Sequence, residues 1–479
     1  MIKSNLSRRN FIKMTCLTAA ASTLSVSAMA KGAKKPNVIF IYTDDQRPDT
    51  IGALGNDKIM TPNIDKLYKR GFAFTSAYCM GSNSGAVCMP SRTMALSGRS
   101  VFDIKQYRKG ELADQDNPDI RTWPAAMNAS GYATMRTGKS GNHPVSITHQ
   151  FDQDIDIRRR EDCTEEHADN AIKFIEDNSG KKPFFLYLAT ATPHDPQPAP
   201  EKYYAMYDPD DMPLSPNFLP LHPFDNGEMI VRDEKMLPHP RTKKDVRQKI
   251  ANYYASITYT DDQIGRIMDA LEEAGQMDNT IIVFASDNGL SLGDHGLLGK
   301  QNLYENGGMH VPLCFVGPGI PAGKSDAMVY LFDIYPTVCQ LAGLHAPKKL
   351  DGQSLVPVIT GKRQEARDAI FCIYKDVQRS VRTDRWKLIR YPQVDMTQLF
   401  DLQKDPFEMN NLVGNRKYSK KVDEMLSLLK AQQKKFNDVL PLTVEDPKSA
   451  EITADQVNAR IQEEPKKLKK EKKKKNKKK

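Results

Sequence analysis

The sequence predicts an α/β protein: a large, mostly parallel sheet flanked by helices, with a small C-terminal α+β subdomain behind it. Three observations predict it. From Pro36 to about Gly361 short apolar runs alternate with amphipathic stretches, the pattern of strands joined by crossover helices. After Gly361 the texture changes to short strands at close spacing. At 479 residues, 39% hydrophobic and 27% charged, the chain is long enough and apolar enough for a sizeable core.

Val38-Ile39-Phe40-Ile41-Tyr42 reads as the first buried strand. A helix follows in which Ile64, Leu67 and Tyr68 share a face, with Thr61-Pro62 at its start and Gly71 at its stop. Further strands are expected at Tyr132–Thr137, Phe184–Ala189 and Ile281–Ala285. A long helix before the last of these has a core stripe of Ile250, Tyr254, Ile257, Ile264, Ile267, Met268 and Leu271 and ends at Gly275. Residues 193–240 hold eleven prolines and no sustained period, which suits an ordered loop across the surface. Short strands at Ala369–Tyr374, Trp386–Tyr391 and Gln398–Leu402 and a helix near Lys420–Phe436 complete the pattern. The domain reading is a leader over 1–30, the main α/β domain over 31–365, the subdomain over 366–436, and an extension with a charged tail over 437–479.

Net charge is +9, but residues 466–479 hold eleven Lys and one Glu, so the tail carries +10 and the rest 9 − 10 = −1. The body is not basic. No aromatic residue interleaves the lysines, so a specific nucleic-acid partner is not expected. Lys3, Arg8, Arg9 and Lys13 precede an Ala-rich apolar stretch that ends at Ala28-Met29-Ala30, the form of an export signal with a twin-arginine-like pair. The expected location is the periplasm. No later stretch has the roughly 18 apolar residues of a membrane span. The six cysteines beyond the signal are scattered, without the spacing of a zinc site or disulfide scaffold.

In an open α/β sheet, ligands bind beyond the carboxyl ends of the strands. The residues there are Asp44-Asp45, Gly138-Lys139, Pro193-His194 and Ser286-Asp287-Asn288-Gly289. Asp44, Asp45, Asp287 and Asn288 are hard oxygen donors, which favours calcium or magnesium over zinc. Taken singly, each of these stretches also suits a plain turn or helix cap. The strongest local signal is Cys88-Met89-Pro90-Ser91-Arg92 with Ser97-Gly98-Arg99 behind it: the proline suits a first helical turn and Gly98 an exit. Cys88 then stands at a helix amino end, with Arg92 one turn inside.

At these residues the chain resembles the sulfatase family of the alkaline-phosphatase-like superfold. The resemblance runs from about Pro36 to Leu412, through Gly293-Asp294-His295-Gly296, Gly299-Lys300, Tyr304-Glu305, Val311-Pro312 and Leu399-Phe400-Asp401-Leu402. It implies a calcium-dependent sulfuric ester hydrolase in which a maturation enzyme oxidises Cys88 to formylglycine. One hydroxyl of the hydrated aldehyde attacks sulfur, and the other then expels sulfate. By family position Asp44, Asp45, Asp287, Asn288 and residue 88 hold the metal, Arg92 holds the nucleophile, Lys139 and Lys300 pair with sulfate, and His194 protonates the leaving alcohol. The usual Gly-Lys-Trp-His is here Gly138-Lys139-Ser140-Gly141-Asn142-His143. The expectation is that the loop folds back on Gly141 and returns His143 to the nucleophile as a proton acceptor. His310 stands where the family often has an arginine. A sulfated saccharide is the expected substrate. A phosphomonoester or phosphonate hydrolase of the same superfold, or an inactive sulfated-glycan-binding protein, is the alternative.

Overall fold

The computed structural model describes residues 34–104, 119–157 and 163–463. The leader and the lysine tail lie outside the described residues, as do 105–118 and 158–162.

Among the described residues fourteen strands form two sheets. They are β1 (Asn37–Thr43), β2 (Phe72–Tyr78), β3 (Gly81–Ser82), β4 (Ala133–Lys139), β5 (Gln153–Ile157), β6 (Phe184–Ala189) and β7 (Thr280–Ser286), then β8 (His310–Val316), β9 (Gly323–Ser325), β10 (Val329–Tyr330), β11 (Ile370–Tyr374), β12 (Gln378–Arg382), β13 (Trp386–Tyr391) and β14 (Met396–Asp401). The large sheet runs β10-β2-β8-β7-β1-β6-β4-β5, with β9 beside β2. Every pairing in it is parallel except those of β8, antiparallel to both β7 and β2.

Seven helices matter here: α1 (Pro62–Arg70), α2 (Cys88–Ser97), α3 (Trp123–Ala129), α4 (Thr164–Asn178), α5 (Lys243–Glu273), α6 (Ile334–Leu341) and α7 (Ser419–Lys435). A central parallel strand must be apolar on both faces, and all seven residues of β1 are buried. Val38, Phe40 and Tyr42 enter one core with Met94 and Leu96 of α2 and Trp123 of α3. Ile39 and Ile41 enter the other, with Ile64 and Leu67 of α1, Phe174 of α4, and Ile264, Ile267 and Leu271 of α5.

The second sheet runs β14-β13-β12-β11-β3. Its edge strand β3 comes from the loop just before Cys88. Gly81 lies so close to β11 that a Cβ there would meet the Ile373 carbonyl oxygen at 1.9 Å, and its φ is +104°. That glycine joins the second sheet to the segment that carries Cys88. α7 covers this sheet, burying Met425 and Leu429 against Val381 and Leu388.

β2, β8 and β12 have no counterpart in the sequence reading, and each has a physical reason. Pro312 in β8 lacks an N–H, and the β2–β8 register slips opposite it, between Phe74 and Ala77. The resulting bulge breaks the alternation in both strands. β12 is polar, and its Arg379 is buried through an ion pair with Asp438 at 2.7 Å, far along the chain. That partner belongs to residues 437–463, which run back over the second sheet and onto the proline-rich loop: Arg390 Nε donates to the Leu442 carbonyl at 2.8 Å, and Asp225 N–H to that of Ala450 at 2.7 Å.

Candidate active site

β1, β7, β6 and β4 are neighbours, and their register aligns their carboxyl ends: Thr43 lies beside Ser286, Tyr42 beside Ala189, and Gly138 beside Ala189. The residues that follow each strand therefore meet. Asp45 takes a φ of +71°, the left-handed region that Asp tolerates better than most residues. Its N–H donates to Asp287 Oδ1 at 3.0 Å.

Cys88 opens α2 and Gly98, at φ +68°, ends it, as the sequence predicts. The Cys88 Sγ lies 3.2 Å from Asp44 Oδ1 and 3.7 Å from Asp45 Oδ1. Lys300 Nζ is 3.1 Å from the same sulfur and bridges both oxygens of Asp45, at 2.6 and 2.7 Å. Gly308 packs so closely beneath Lys300 that a Cβ would fall 1.9 Å from its carbonyl oxygen. Arg92, fully buried one turn into α2, donates from Nε to Asp287 Oδ2 at 2.8 Å and stands 3.7 Å from Asp44. Lys139 Nζ reaches Asp44 Oδ2 at 3.2 Å and keeps part of its side chain in solvent.

Asp44, Asp45, Cys88 and Asp287 bring ligand atoms within 4.8 Å of one another, all buried. Burial alone would raise Asp44, but Lys139, His194, Arg92 and Lys300 hold it well below the carboxylate range. Burial, and after it the charge of Asp44, pushes Asp45 and Asp287 up to about 7 against the pull of Lys300 and Arg92. Burial and mutual repulsion thus work against ionising Asp45 and Asp287 beside Asp44, and a further positive charge among the three would relieve both. Asn288 supplies a further test. Its Nδ2 donates to Asp287 Oδ1 at 2.8 Å and faces Cys88 Sγ at 3.5 Å, while its Oδ1 is buried without a partner. Rotating the amide turns that oxygen into the carboxylate cluster, which completes an all-oxygen donor set from the protein. The residues fit a hard divalent cation.

His194 donates from Nδ1 to the Asp195 carbonyl at 2.8 Å, so Nε2 is the reactive nitrogen. It faces Arg232 at 3.1 Å and Asp45 at 3.8 Å. Burial and the charges of Lys300, Lys139 and Arg232 lower His194 to about 4, with Asp44 pulling the other way.

His143 does not take the place expected of it. Gly141 does adopt a positive φ, of +82°, but the turn presents Asn142, whose Nδ2 donates to Asp44 Oδ2 at 2.7 Å. The His143 ring nitrogens are engaged by the Tyr187 hydroxyl at 2.8 Å and by Arg136 at 3.3 Å, so neither is directed at Cys88. Burial and Arg136 keep it neutral, well below the usual imidazole value. His310 stacks on Tyr78 with centroids 5.1 Å apart and bonds the Thr75 carbonyl, a role within the sheet. Asp294 and His295 of the loop motif are structural as well. Asp294 pairs with Arg47 at 3.2 Å, and His295 stacks on Tyr304 at 3.7 Å.

Sequence reasoning weighed Asn142 only as the rival of His143 for a proton that an amide cannot accept, and it missed Arg232. Asn142 has a local signal, its position after the positive-φ glycine. Arg232 has none: it reaches His194 only because the proline-rich loop returns to the site.

A sulfatase family model matches residues 36–344, and one for the C-terminal part of N-sulphoglucosamine sulphohydrolase matches 293–435. The chain belongs to the sulfatase family and is a sulfuric ester hydrolase. Its relatives include the N-acetylglucosamine-6-O-sulfatase of Bacteroides thetaiotaomicron, 27% identical over 85% of this chain and 87% of the relative. The arylsulfatase of Clostridium perfringens is 29% identical over 82% of this chain and 94% of its own length. Among solved structures, a protein in complex with its substrate D-glucosamine-2-N,6-O-disulfate superposes with a TM-score of 0.72 at 24% identity, over 86% of this chain and 100% of that one. The phosphonate monoester hydrolase of Agrobacterium radiobacter superposes at 0.69 and 23%, over 83% and 96%. These two likenesses concern the alkaline-phosphatase-like fold.

Proposed function

We propose that the enzyme removes sulfate from a sulfated carbohydrate with a calcium ion at the carboxylate cluster and formylglycine at position 88. One observation carries the reading. The Cys88 thiol is buried among Asp44, Asp45, Asn288 and Lys300. Burial, then Asp287 and Asp44, raise it well above the usual thiol range. A thiol held protonated is a poor nucleophile. Seated at the centre of the site, it reads as a precursor.

Oxidised to formylglycine, residue 88 supplies a hydrated aldehyde, an oxygen nucleophile with an internal exit that a thiol lacks. Calcium, when bound, supplies that further positive charge and Lewis acidity toward a sulfate oxygen. The remaining work falls to this chain's own side chains. Arg92 fixes Asp287 and stands against Asp44, which orients two of the three carboxylates. Lys300 sits between Asp45 and residue 88, where it can take a sulfate oxygen as the nucleophile closes in, and Lys139 offers a second, partly exposed ammonium. Among the described residues His194 Nε2 is the imidazole nitrogen at the site placed to hand a proton to the departing alcohol, once Arg232 moves off it. Burial first and the cations after it keep His194 neutral, and an incoming sulfate anion beside Lys300 and Lys139 offsets the second of these.

The N-acetylglucosamine-6-O-sulfatase among its relatives supports a carbohydrate substrate. Among the described residues no helix is long and apolar enough to cross a membrane. Export to the periplasm by the N-terminal leader is part of the proposal, and N-terminal sequencing of the mature protein tests it. For the activity, enzyme made with a formylglycine-generating enzyme is compared on nitrophenyl sulfate, nitrophenyl phosphate and a panel of sulfated saccharides, with and without calcium. Faster phosphate than sulfate turnover overturns the reading, as does full activity after calcium removal.

A further inference from the structure

The C-terminal extension lies beyond both family models. The two family models end at residues 344 and 435, yet residues 437–463 are built into the body. Val457 is fully buried in the main core, and Asn458 clasps the backbone of His239, its Nδ2 donating to the carbonyl at 2.6 Å. With Asp225 bound to the Ala450 carbonyl and paired with Arg460, the extension pins the stretch 225–239 of the proline-rich loop from behind.

Between the two runs a cavity of about 740 Å³, whose walls include Glu228, Lys375, Asp376, Gln393, Lys448 and Arg460. Hydrogen bonds link its lining to segments that also reach the reaction centre. Glu228 accepts from the Tyr374 hydroxyl at 3.4 Å, and that hydroxyl also bonds the carbonyl of Gly85, three residues before Cys88. Four residues beyond Glu228, Arg232 faces His194. Four residues of chain span at most about 14 Å, which bounds the distance between the Glu228 and Arg232 backbones.

Its chemistry is mixed. Carboxylate, ammonium, guanidinium and amide groups alternate, and the exposed Asp376 and Lys448 stand beside Gln393, which donates to Asp376 at 3.2 Å. Such a surface offers acceptors and donors together, which suits the hydroxyls of a sugar ring better than a bare anion.

We infer that the extension builds a subsite for a sugar residue next to the sulfated one, so that the enzyme selects an oligosaccharide over a monosaccharide. The inference deepens the proposed function and rests on it. Deleting the extension would remove Val457 and Asp438 from the fold, so the test uses surface substitutions: K448A and Q393A, singly and together. Wild type is assayed on nitrophenyl sulfate and on sulfated mono-, di- and tetrasaccharides from heparin, chondroitin sulfate and carrageenan.

The expected result is a kcat/KM at least tenfold higher on an oligosaccharide than on its monosaccharide. In the double variant that advantage falls about tenfold, mainly through KM, with nitrophenyl sulfate turnover unchanged. Equal rates on mono- and oligosaccharide overturn the subsite, as do variants that lose nothing on the oligosaccharide or lose both activities alike. If nitrophenyl sulfate is cleaved and no saccharide is, the subsite fails while the sulfatase chemistry stands. If no sulfate ester is cleaved, the proposed function fails first.

Discussion

The reaction centre and the wall around it are built by opposite means. Asp44, Asp45, Asp287, Asn288 and Lys139 stand at or just past the ends of β1, β7 and β4, which β6 ties into one register, so sheet register places them. The wall consists of the proline-rich loop and the extension, held by long-range side-chain bonds such as Arg232 to His194 and Asn458 to His239 and by a few buried residues such as Val457. A centre set by register is stiff, because moving one carboxylate means shifting a buried strand. A wall held by separate side-chain bonds can change while the chemistry stays, which is how one fold comes to serve different substrates.

The largest expected effects lie at the centre. Asp287→Ala removes a donor and frees the buried Arg92, so turnover should fall below detection and calcium uptake should vanish with it in a metal titration. Arg232→Ala at the wall should instead keep measurable turnover. Equal losses would erase the distinction between centre and wall.

His194→Ala comes next. A lost general acid costs about 10²–10⁴-fold when the leaving group needs a proton. The loss should be large on an alkyl or sugar sulfate and much smaller on nitrophenyl sulfate, whose phenolate leaves unaided. A uniform loss on both would assign His194 to binding.

Smaller again is the contrast within the turn after Lys139. Asn142→Ala breaks a 2.7 Å bond to Asp44, whereas His143→Ala removes a ring that Tyr187 and Arg136 hold. Activity should therefore fall more in the first variant and thermal stability more in the second. The reverse order would show that the loop rearranges to bring His143 to residue 88.

This turn marks the limit of what the sequence made legible. The strands β1, β6 and β7 announce themselves as apolar runs, β4 is legible from Tyr132 to Thr137 although it carries Arg136, and the residues after these strands are the site. The short Cys88–Arg92 stretch fixes its own helix. At Gly141, however, sequence reveals that the chain turns and not which neighbour turns inward, since that depends on Arg136 across the loop. The burial of Arg379 by Asp438 and the return of Arg232 to His194 depend likewise on contacts between segments far apart in the chain, for which no local pattern exists.

Stability toward acid offers a test away from the site. Burial lowers His222 to about 4 and His295 to about 3, both far from the usual 6.5. The unfolded chain binds protons there first, so stability is full above pH 6.5 and declines as pH falls toward 4. The loss should be on the order of 1–3 kcal/mol per histidine. Urea unfolding at pH 7 and pH 5 should show it, and His222→Gln should reduce the difference.

The smallest expected effect belongs to the lysine tail. Removing residues 466–479 takes away a charge of +10 yet should leave nitrophenyl sulfate turnover unchanged, while retention on heparin resin weakens and loses salt dependence.

The central claim is that Cys88 is the precursor of the nucleophile. Mass spectrometry of the peptide containing residue 88, run beside nitrophenyl sulfate turnover for protein made with and without a formylglycine-generating enzyme, tests it most directly. The account predicts loss of sulfur and gain of an aldehyde at residue 88, in proportion to activity across preparations. Full turnover by protein that retains an intact Cys88 thiol would contradict it.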